Sequence, residues 1–453
     1  MQSRTSVFDL IIQGGTILTG DAGQTVLRDG VLGILDGIIT YVGTDMPIAE
    51  AETRVIHAHG CYILPGLVNT HTHAILSMVR GAAVDSGFAP SYTPGLPNGM
   101  DVNPDQARAL ARLGALESLL FGSTVLGDNF VHADVTTEAM AELGLRLCPS
   151  FRVHDVDFAR VAGGEWVYDD ATGDALLQAT LDLHARWHNH PRVTVSMAAH
   201  AADTCSEGFL KRIAEAAAPL GMRINTHIGQ SKVEVTRVAE IAGKTSVQVF
   251  EDAGLLNDRL LAGHCIYLSD EDMARMARAG AHAVSIAKCN AASGRLAPIH
   301  KLRDAGVNLA MGTDTQNGDM IELMRWALIT ARLQEGSVSD HWQPAHVFEM
   351  ATMGGARALG MAGMVGSLER GKKADVVIMD AARPHLTPNV RPLGNLVHNA
   401  QGRDVKHVLV DGEFVVEDGL PTRVDMAEIC RDAEAAARQL WEDCGTQYWL
   451  NSA

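Results

Sequence analysis

Ile63-Leu64-Pro65-Gly66-Leu67-Val68-Asn69-Thr70-His71-Thr72-His73 is an apolar run that ends on two histidines one residue apart. In a strand, residues i and i+2 point to the same face, so both imidazoles converge while Thr72 turns away. Two neutral imidazoles held that way favour a first-row divalent ion such as zinc. At the end of an apolar strand they predict a metal at the mouth of a barrel.

Downstream of this stretch the chain repeats one phrase: a capped helix, a glycine, then a β-rich run. Asn103, Pro104 and Gln106 fit N-cap, N1 and N3 of a helix, and Thr124–Leu126 follows as strand. Residues 206–218 read as helix, stopped by Gly221 before Arg223–Ile228. Ser269 and Asp272 cap a helix ending at Gly280, before Ala281–Ala287. Pro298–Gly306 leads into Val307–Met311. Helices alternating with apolar strands predict a parallel sheet. Over residues 64–363 the α/β fold that fits is a closed (β/α)8 TIM barrel. A doubly wound open sheet competes, but no Gly-x-Gly-x-x-Gly turn follows a strand.

Both ends of the chain read differently. Residues 1–63 hold short strands, with Gly14-Gly15, Asp29-Gly30 and Asp36-Gly37 as expected hairpin turns. Residues 364–420 return a matching set, Ala374–Met379, Val405–Val410 and Phe414–Val416 around Asp411-Gly412. A small β-sandwich assembled from both chain ends is expected. Residues 421–453 read as a C-terminal helix packing on the barrel or on a partner subunit.

Hydrophobic residues make up 47% and charged residues 20%, ordinary for a globular chain of 453 residues. Lys and Arg number 37 against 54 Asp and Glu, a net charge of −17. That balance argues against nucleic acid or an anionic membrane as partner, since both need a basic footprint. The seven cysteines form no Cys-x-x-Cys pair and read as free thiols in a reducing compartment. With no signal-peptide pattern and no long apolar span, a cytoplasmic homo-oligomer acting on a small-molecule substrate is expected.

Polar residues recur where the strands should end. Ile224–His227 ends one, Leu260–His264 another, and Ala310–Asp314 a third. Barrel enzymes place their chemistry at the C-terminal strand ends. Four histidines and an aspartate at such places are hard to explain as core packing.

The run Leu64–His73, the later His227 and His264, and Met311-Gly312-Thr313-Asp314 together resemble the amidohydrolase superfamily. The nearest likeness is its branch of S-adenosylhomocysteine, guanine and cytosine deaminases and triazine hydrolases. Ala199–Ser206 resembles that branch's Pro-His-Ala-Pro-Tyr-Thr-Cys-Ser segment, and Gly366–Asp375 its returning sandwich strand. The resemblance implies that His71, His73, His227 and Asp314 bind one divalent metal: zinc first, with iron, manganese or cobalt possible on the same donors. His264 would sit beside the activated water, and His200 would face substrate. A cation brings water deprotonation towards neutrality, and Asp314 can take the proton and deliver it to the leaving group. Two-metal members carry a bridging lysine, absent at the matching strand ends here.

Departures from the family matter as much. Deaminases of this branch have His-x-x-Glu, whose glutamate protonates a ring nitrogen. Here the fourth position is Gln230, which can orient a substrate but cannot transfer a proton near neutral pH. Ile286-Ala287-Lys288-Cys289-Asn290 replaces the family's His-Cys-Pro-x-Ser-Asn, and Lys288 could reach the substrate. The loop after Asp314 is shortened, and Gly81–Asn103 lacks the family's Trp-Leu helix, reading as a lid or specificity loop. These losses weaken a heteroaromatic deaminase and leave hydrolysis of an amide, urea or carbamate intact. The expected activity is hydrolysis of such a C–N bond in a small, largely uncharged substrate, with Asp314, His264 and Gln230 as catalytic groups. Deamination or dehalogenation of a nitrogen heterocycle is the alternative. A barrel that kept the fold and lost the chemistry is the non-enzymatic reading, and the retained ligand set argues against it.

Two further histidine pairs read as surface. His57-Ala58-His59 precedes the barrel's first strand. His184 and His188 have helical spacing but precede a strand expected at Val193–Met197, which puts them at the barrel's opposite end. Trp166 is expected to pack on the barrel.

Overall fold

A computed structural model describes residues 8–46, 52–86, 89–315 and 317–445. Eight parallel strands occupy the middle of the chain: β1 Leu67–Thr72, β2 Ser123–Phe130, β3 Arg146–Val153, β4 Met197–Ala201, β5 Ile224–Ile228, β6 Leu260–His264, β7 His282–Ser285 and β8 Asn308–Met311. They pair in that order. Every residue of β1, β2, β4, β5, β6 and β7 is buried. A sheet covered on both faces selects such continuous apolar runs over alternation.

The seam between β8 and β1 closes the barrel mainly by polar stitches. Asp314 N donates to His71 O at 3.1 Å, and His73 N to Asp314 O at 3.1 Å. Thr70 Oγ1 donates to Met311 O at 2.8 Å, and Asn69 Nδ2 to Thr313 Oγ1 at 2.8 Å. Gly312 permits the approach, because a Cβ there would lie 2.6 Å from both Cβ and O of His71. Two of these seam bonds are thus made by the backbone of expected metal ligands, His71, His73 and Asp314.

The helix signals hold. Asn103 and Gln106 form a capping box at Pro104–Leu120, as do Ser269 and Asp272 at Asp270–Ala279, which ends on a left-handed Gly280. One strand lies later than its expected position. Before Met197 the chain bonds back to β3, through Thr194 N to Leu147 O and Ser196 N to Pro149 O. The true β4 starts at Met197, where pairing with β5 begins.

The two chain ends join in one nine-stranded sheet. Its centre pairs Cys61–Pro65 from the N-terminal part with Val376–Asp380 from the C-terminal part. Leu10, Ile12, Ile34, Ile63, Val376 and Ile378 share its core. Asp36-Gly37 does turn a hairpin, between Val26–Leu35 and Ile38–Gly43. The other two expected turns are corrected: Gly14-Gly15 lies inside the strand Leu10–Leu18, and Asp29-Gly30 inside Val26–Leu35. Gly15 pairs with Gly30 across a doubly shifted register, so these glycines make bulges that bend long strands. At Gly14 (φ 82°) a Cβ would lie 2.3 Å from the His59 ring.

Arg146, at the start of β3, ties the barrel to this sheet. Its Nη2 lies 3.1 Å from Asp375 Oδ1 and 2.8 Å from Asp411 Oδ1. The C-terminal helix Met426–Asp443 lies on the barrel side, where Trp441 Nε1 donates to Met78 O at 2.9 Å. The last residues of the expected C-terminal helix, 446–453, and residues 87–88 of the expected lid lie outside the described residues. Among the described residues no helix is long and apolar enough to cross a membrane.

Candidate active site

The strand alternation read from the sequence brings the His71 and His73 imidazoles together, and strand β5 adds His227 at the same point. Nε2 of His71 lies 3.2 Å from Nε2 of His227, and Nε2 of His73 lies 3.3 Å from the same atom. Asp314 Oδ1 is 3.4 Å from His73 Nε2. His264 closes the group, its donor nitrogen within 4.8 Å of those of His71 and His227. All five side chains are buried.

Each ring's outer nitrogen is committed, and that determines what the inner one presents. Nδ1 of His71 faces Asn225 Oδ1 at 2.8 Å, Nδ1 of His73 faces Asn129 O at 2.6 Å, and Nδ1 of His227 faces His200 O at 2.9 Å. These partners are acceptors, so each Nδ1 carries the proton and each Nε2 presents a lone pair. Three lone pairs crowd one point with no hydrogen between them. Protonation would relieve this, but burial opposes it: the imidazole of His71 is pushed down to about 3 by burial first and by His73 next. His227 is likewise held well below its ordinary value, chiefly by burial. A cation at the centre satisfies all of them. Ligands about 2.0–2.1 Å from a tetrahedral zinc would stand roughly 3.3 Å apart, which matches the observed spacing.

The Asp314 carboxyl is buried, which favours protonation, yet the imidazoles of His264, His73 and His71 outweigh burial and hold it below the usual carboxylate range. Its Oδ2 accepts from Cys289 Sγ at 3.1 Å. Nδ1 of His264 faces Asn290 Oδ1 at 2.9 Å. His264 and Asp314 both adopt left-handed backbone, φ 67° and 64°. Such conformations cost about 1–3 kcal/mol at a non-glycine residue and cluster where function requires them.

A cavity opens on this centre, lined among others by His200, Gln230, Phe130, Arg152 and Tyr92. Gln230 therefore faces the expected substrate space, with its Nε2 buried and without a partner among the described residues. His200 lines the same space, its Nδ1 2.7 Å from Thr204 Oγ1. Lys288 is turned elsewhere: its amine lies 2.6 Å from Glu322 Oε2, and it does not line the cavity. The expected lid does reach the site, since Ala89, Pro90, Ser91 and Tyr92 form one wall, and Tyr92 donates to Asp203 Oδ2 at 3.1 Å. His57 and His59 are exposed, and His184 and His188 stay on their helix surface away from the cavity. Trp166 packs with Val156, Phe158 and Tyr168.

Sequence reading missed Asn225, Asn129, Asn290, Cys289, Arg152 and Phe130. Only two carried a usable signal: Asn225 sits two residues before His227 on the same strand face, and Arg152 is a lone charge near the end of an apolar strand. Asn225 fixes the tautomer and orientation of the His71 ring, so Asn225→Ala is expected to weaken metal affinity about 10–100-fold, checked by competition with a chromogenic chelator. Unchanged affinity would remove Asn225 from the site's support.

The amidohydrolase family model matches residues 62–415. The chain is 31% identical over 442 residues to a 5'-deoxyadenosine deaminase of Methanosarcina acetivorans, covering 95% of this chain and 98% of that one. It is 33% identical over 418 residues to a 5-methylthioadenosine/S-adenosylhomocysteine deaminase of Moorella thermoacetica, covering 89% and 94%. Among solved structures, a zinc-bound adenosine deaminase of Xanthomonas campestris superposes with a TM-score of 0.86 at 25% identity, over 96% of this chain and 98% of that one. A zinc-complexed atrazine chlorohydrolase of Arthrobacter aurescens shares the fold at TM-score 0.85 and 24% identity, over 94% and 100%. With the strand-end histidines and Asp314 gathered on a closed barrel and the match running through both sheets, this chain belongs to the amidohydrolase family.

Proposed function

We propose that this chain is a metal-dependent hydrolase of a C–N bond in a small molecule, of amide, urea or carbamate type. One divalent ion, zinc in the first place, is held by His71, His73, His227 and Asp314. The observation that carries the reading is three Nε2 lone pairs and one carboxylate around a single point at the cavity floor. A bound divalent cation supplies Lewis acidity that brings water deprotonation into the neutral range. Asp314, kept ionised by its imidazole neighbours, takes the proton from the attacking water and hands it to the leaving nitrogen. His264 accepts a hydrogen bond through the nitrogen opposite its Asn290 contact and orients that water. Gln230 Nε2 donates to the substrate carbonyl, and His200 bounds the space beside it.

Gln230 decides between two substrate classes. An amide holds a carbonyl in place but delivers no proton to a ring nitrogen, which favours acyclic carbonyl substrates. Deamination of a nitrogen heterocycle is the second reading, favoured by the relatives named as deaminases of adenosine-type nucleosides. Metal-replete protein is to be assayed for ammonia release on ureido, amide and carbamate compounds beside adenosine-type nucleosides and triazines. Turnover confined to the first group is expected, and it should vanish on chelation and return with zinc. Robust turnover of any heterocycle would reverse the order of the two readings, and turnover surviving exhaustive chelation would sink both.

A further inference from the structure

Strand β3 carries two buried arginines on one face, and the structure treats them in opposite ways. At the closed end Arg146 meets two carboxylates. Six residues on, Arg152 is 4% exposed and lines the cavity over the histidine centre. Its guanidinium carbon lies 4.6 Å from the Phe130 ring centroid and 4.4 Å from that of Phe158. Nη1 donates to Ser91 Oγ at 3.1 Å, on the lid wall. Nε and Nη2 find no partner among the described residues.

A guanidinium has five N–H donors and no acceptor, and burying it uncompensated is costly. Burial pushes its pKa down to about 10, partly countered by Tyr92, so it stays charged at neutral pH. The two rings give it cation–π contact but no acceptor for its open N–H groups. Among the described residues no carboxylate forms an ion pair with it, unlike Arg146. The Nε–Nη2 edge is the fork that binds a planar two-acceptor anion through parallel hydrogen bonds.

We infer that Arg152 is the specificity-determining anchor of this pocket, and that the substrate carries a planar anion seated on the Nε–Nη2 edge while its scissile C–N bond lies over the histidine–Asp314 centre. The anion is a carboxylate or the N–C–O⁻ edge of a deprotonated ring imide, which present the same pair of acceptors. This inference rests on the hydrolytic reading above and replaces the expectation of an uncharged substrate. It also gives the lid a role, because Ser91 holds the remaining arm of the fork.

The test compares matched substrates on the metal-loaded protein. N-carbamoyl-β-alanine is set against its carboxamide, and an acidic oxo-triazine against its O-methyl ether, so that the two arms separate the two sources of anion. In at least one pair the anionic member is expected to be favoured about 100-fold in kcat/KM, mainly through KM. Arg152→Met should bring that ratio close to one, mainly by raising KM for the anionic member. Arg152→Lys, which keeps the charge and loses the fork, should retain an intermediate preference. In parallel, calorimetric titration with benzoate and benzamide reads binding without turnover. Benzoate should bind about tenfold more tightly to the unaltered protein, with no difference in Arg152→Met. Equal use of both members, or a preference that Arg152→Met leaves intact, overturns the inference. If no pair is hydrolysed, the calorimetric titration alone decides Arg152: equal binding of benzoate and benzamide to the unaltered protein overturns the inference. Should Arg152→Met not fold, as judged by its melting curve, Arg152→Lys decides in both assays: an undiminished preference overturns the inference.

Discussion

Asp314→Asn is expected to lower kcat by about 10³-fold in a protein that still folds and still holds metal. Three features make this substitution a clean test of the proton carrier. The backbone of residue 314 closes the barrel through its N–H to His71 O and its carbonyl to His73 N, and both bonds survive a side-chain change. Its left-handed φ of 64° is tolerated by asparagine nearly as well as by aspartate. An amide oxygen can still accept from Cys289 Sγ, which now bonds Oδ2. What disappears is the ability to hold a proton, together with the negative charge facing His73 and His264. Metal content, measured by elemental analysis, should stay close to that of the unaltered protein because three imidazoles remain. A fall of less than tenfold with metal retained would show that another group carries the proton.

Arg146→Met is expected to cost about 3–5 kcal/mol of unfolding free energy, the largest stability loss of any single substitution considered. The change leaves the Asp375 side chain, 1% exposed, facing the Asp411 carboxylate with their shared cation gone. Arg192 would still hold Asp411 Oδ2 at 2.7 Å but does not reach Asp375. The loss is read from the urea midpoint at constant slope. Because Arg146 sits at the end of β3 remote from the ligands, kcat per folded molecule should change little. Adding Asp375→Leu should recover part of the stability, since an uncompensated buried charge costs more than an apolar pair. A shift below about 1 kcal/mol would mean that solvent reaches this contact and that it does not brace the two sheets.

The contrast between Arg146 and Arg152 shows where sequence reading stops. Both stand in Arg146–Val153 at an even spacing, which places them on one strand face, and nothing local says which end of the barrel each occupies. Only the register of neighbouring strands puts Arg146 beside two carboxylates and Arg152 over the cavity. Lys288 illustrates the same limit in reverse. Its position after β7 permitted a reach into the pocket, but a helical turn at Ala287–Ala292 carries its amine to Glu322. The glycine pairs mark a further limit: Gly14-Gly15 and Asp36-Gly37 look alike in one dimension, and pairing partners decide which is a bulge and which a turn.

From the chain alone came whatever depends on periodicity and on local backbone chemistry. That covers the helix–strand repeats leading into Thr124–Leu126, Arg223–Ile228, Ala281–Ala287 and Val307–Met311, the capping boxes at Asn103 and Ser269, and the convergence of His71 and His73, because i and i+2 share a strand face whatever lies around them. The tertiary structure decided everything that depends on residues distant in sequence meeting. Asn225, Asn129 and the His200 carbonyl come from three separate strands, and together they set the tautomers that aim lone pairs at one point. The open edge of Arg152 belongs to the same class: burial and the lack of a carboxylate partner are properties of what surrounds a side chain, and only folding brings those surroundings together.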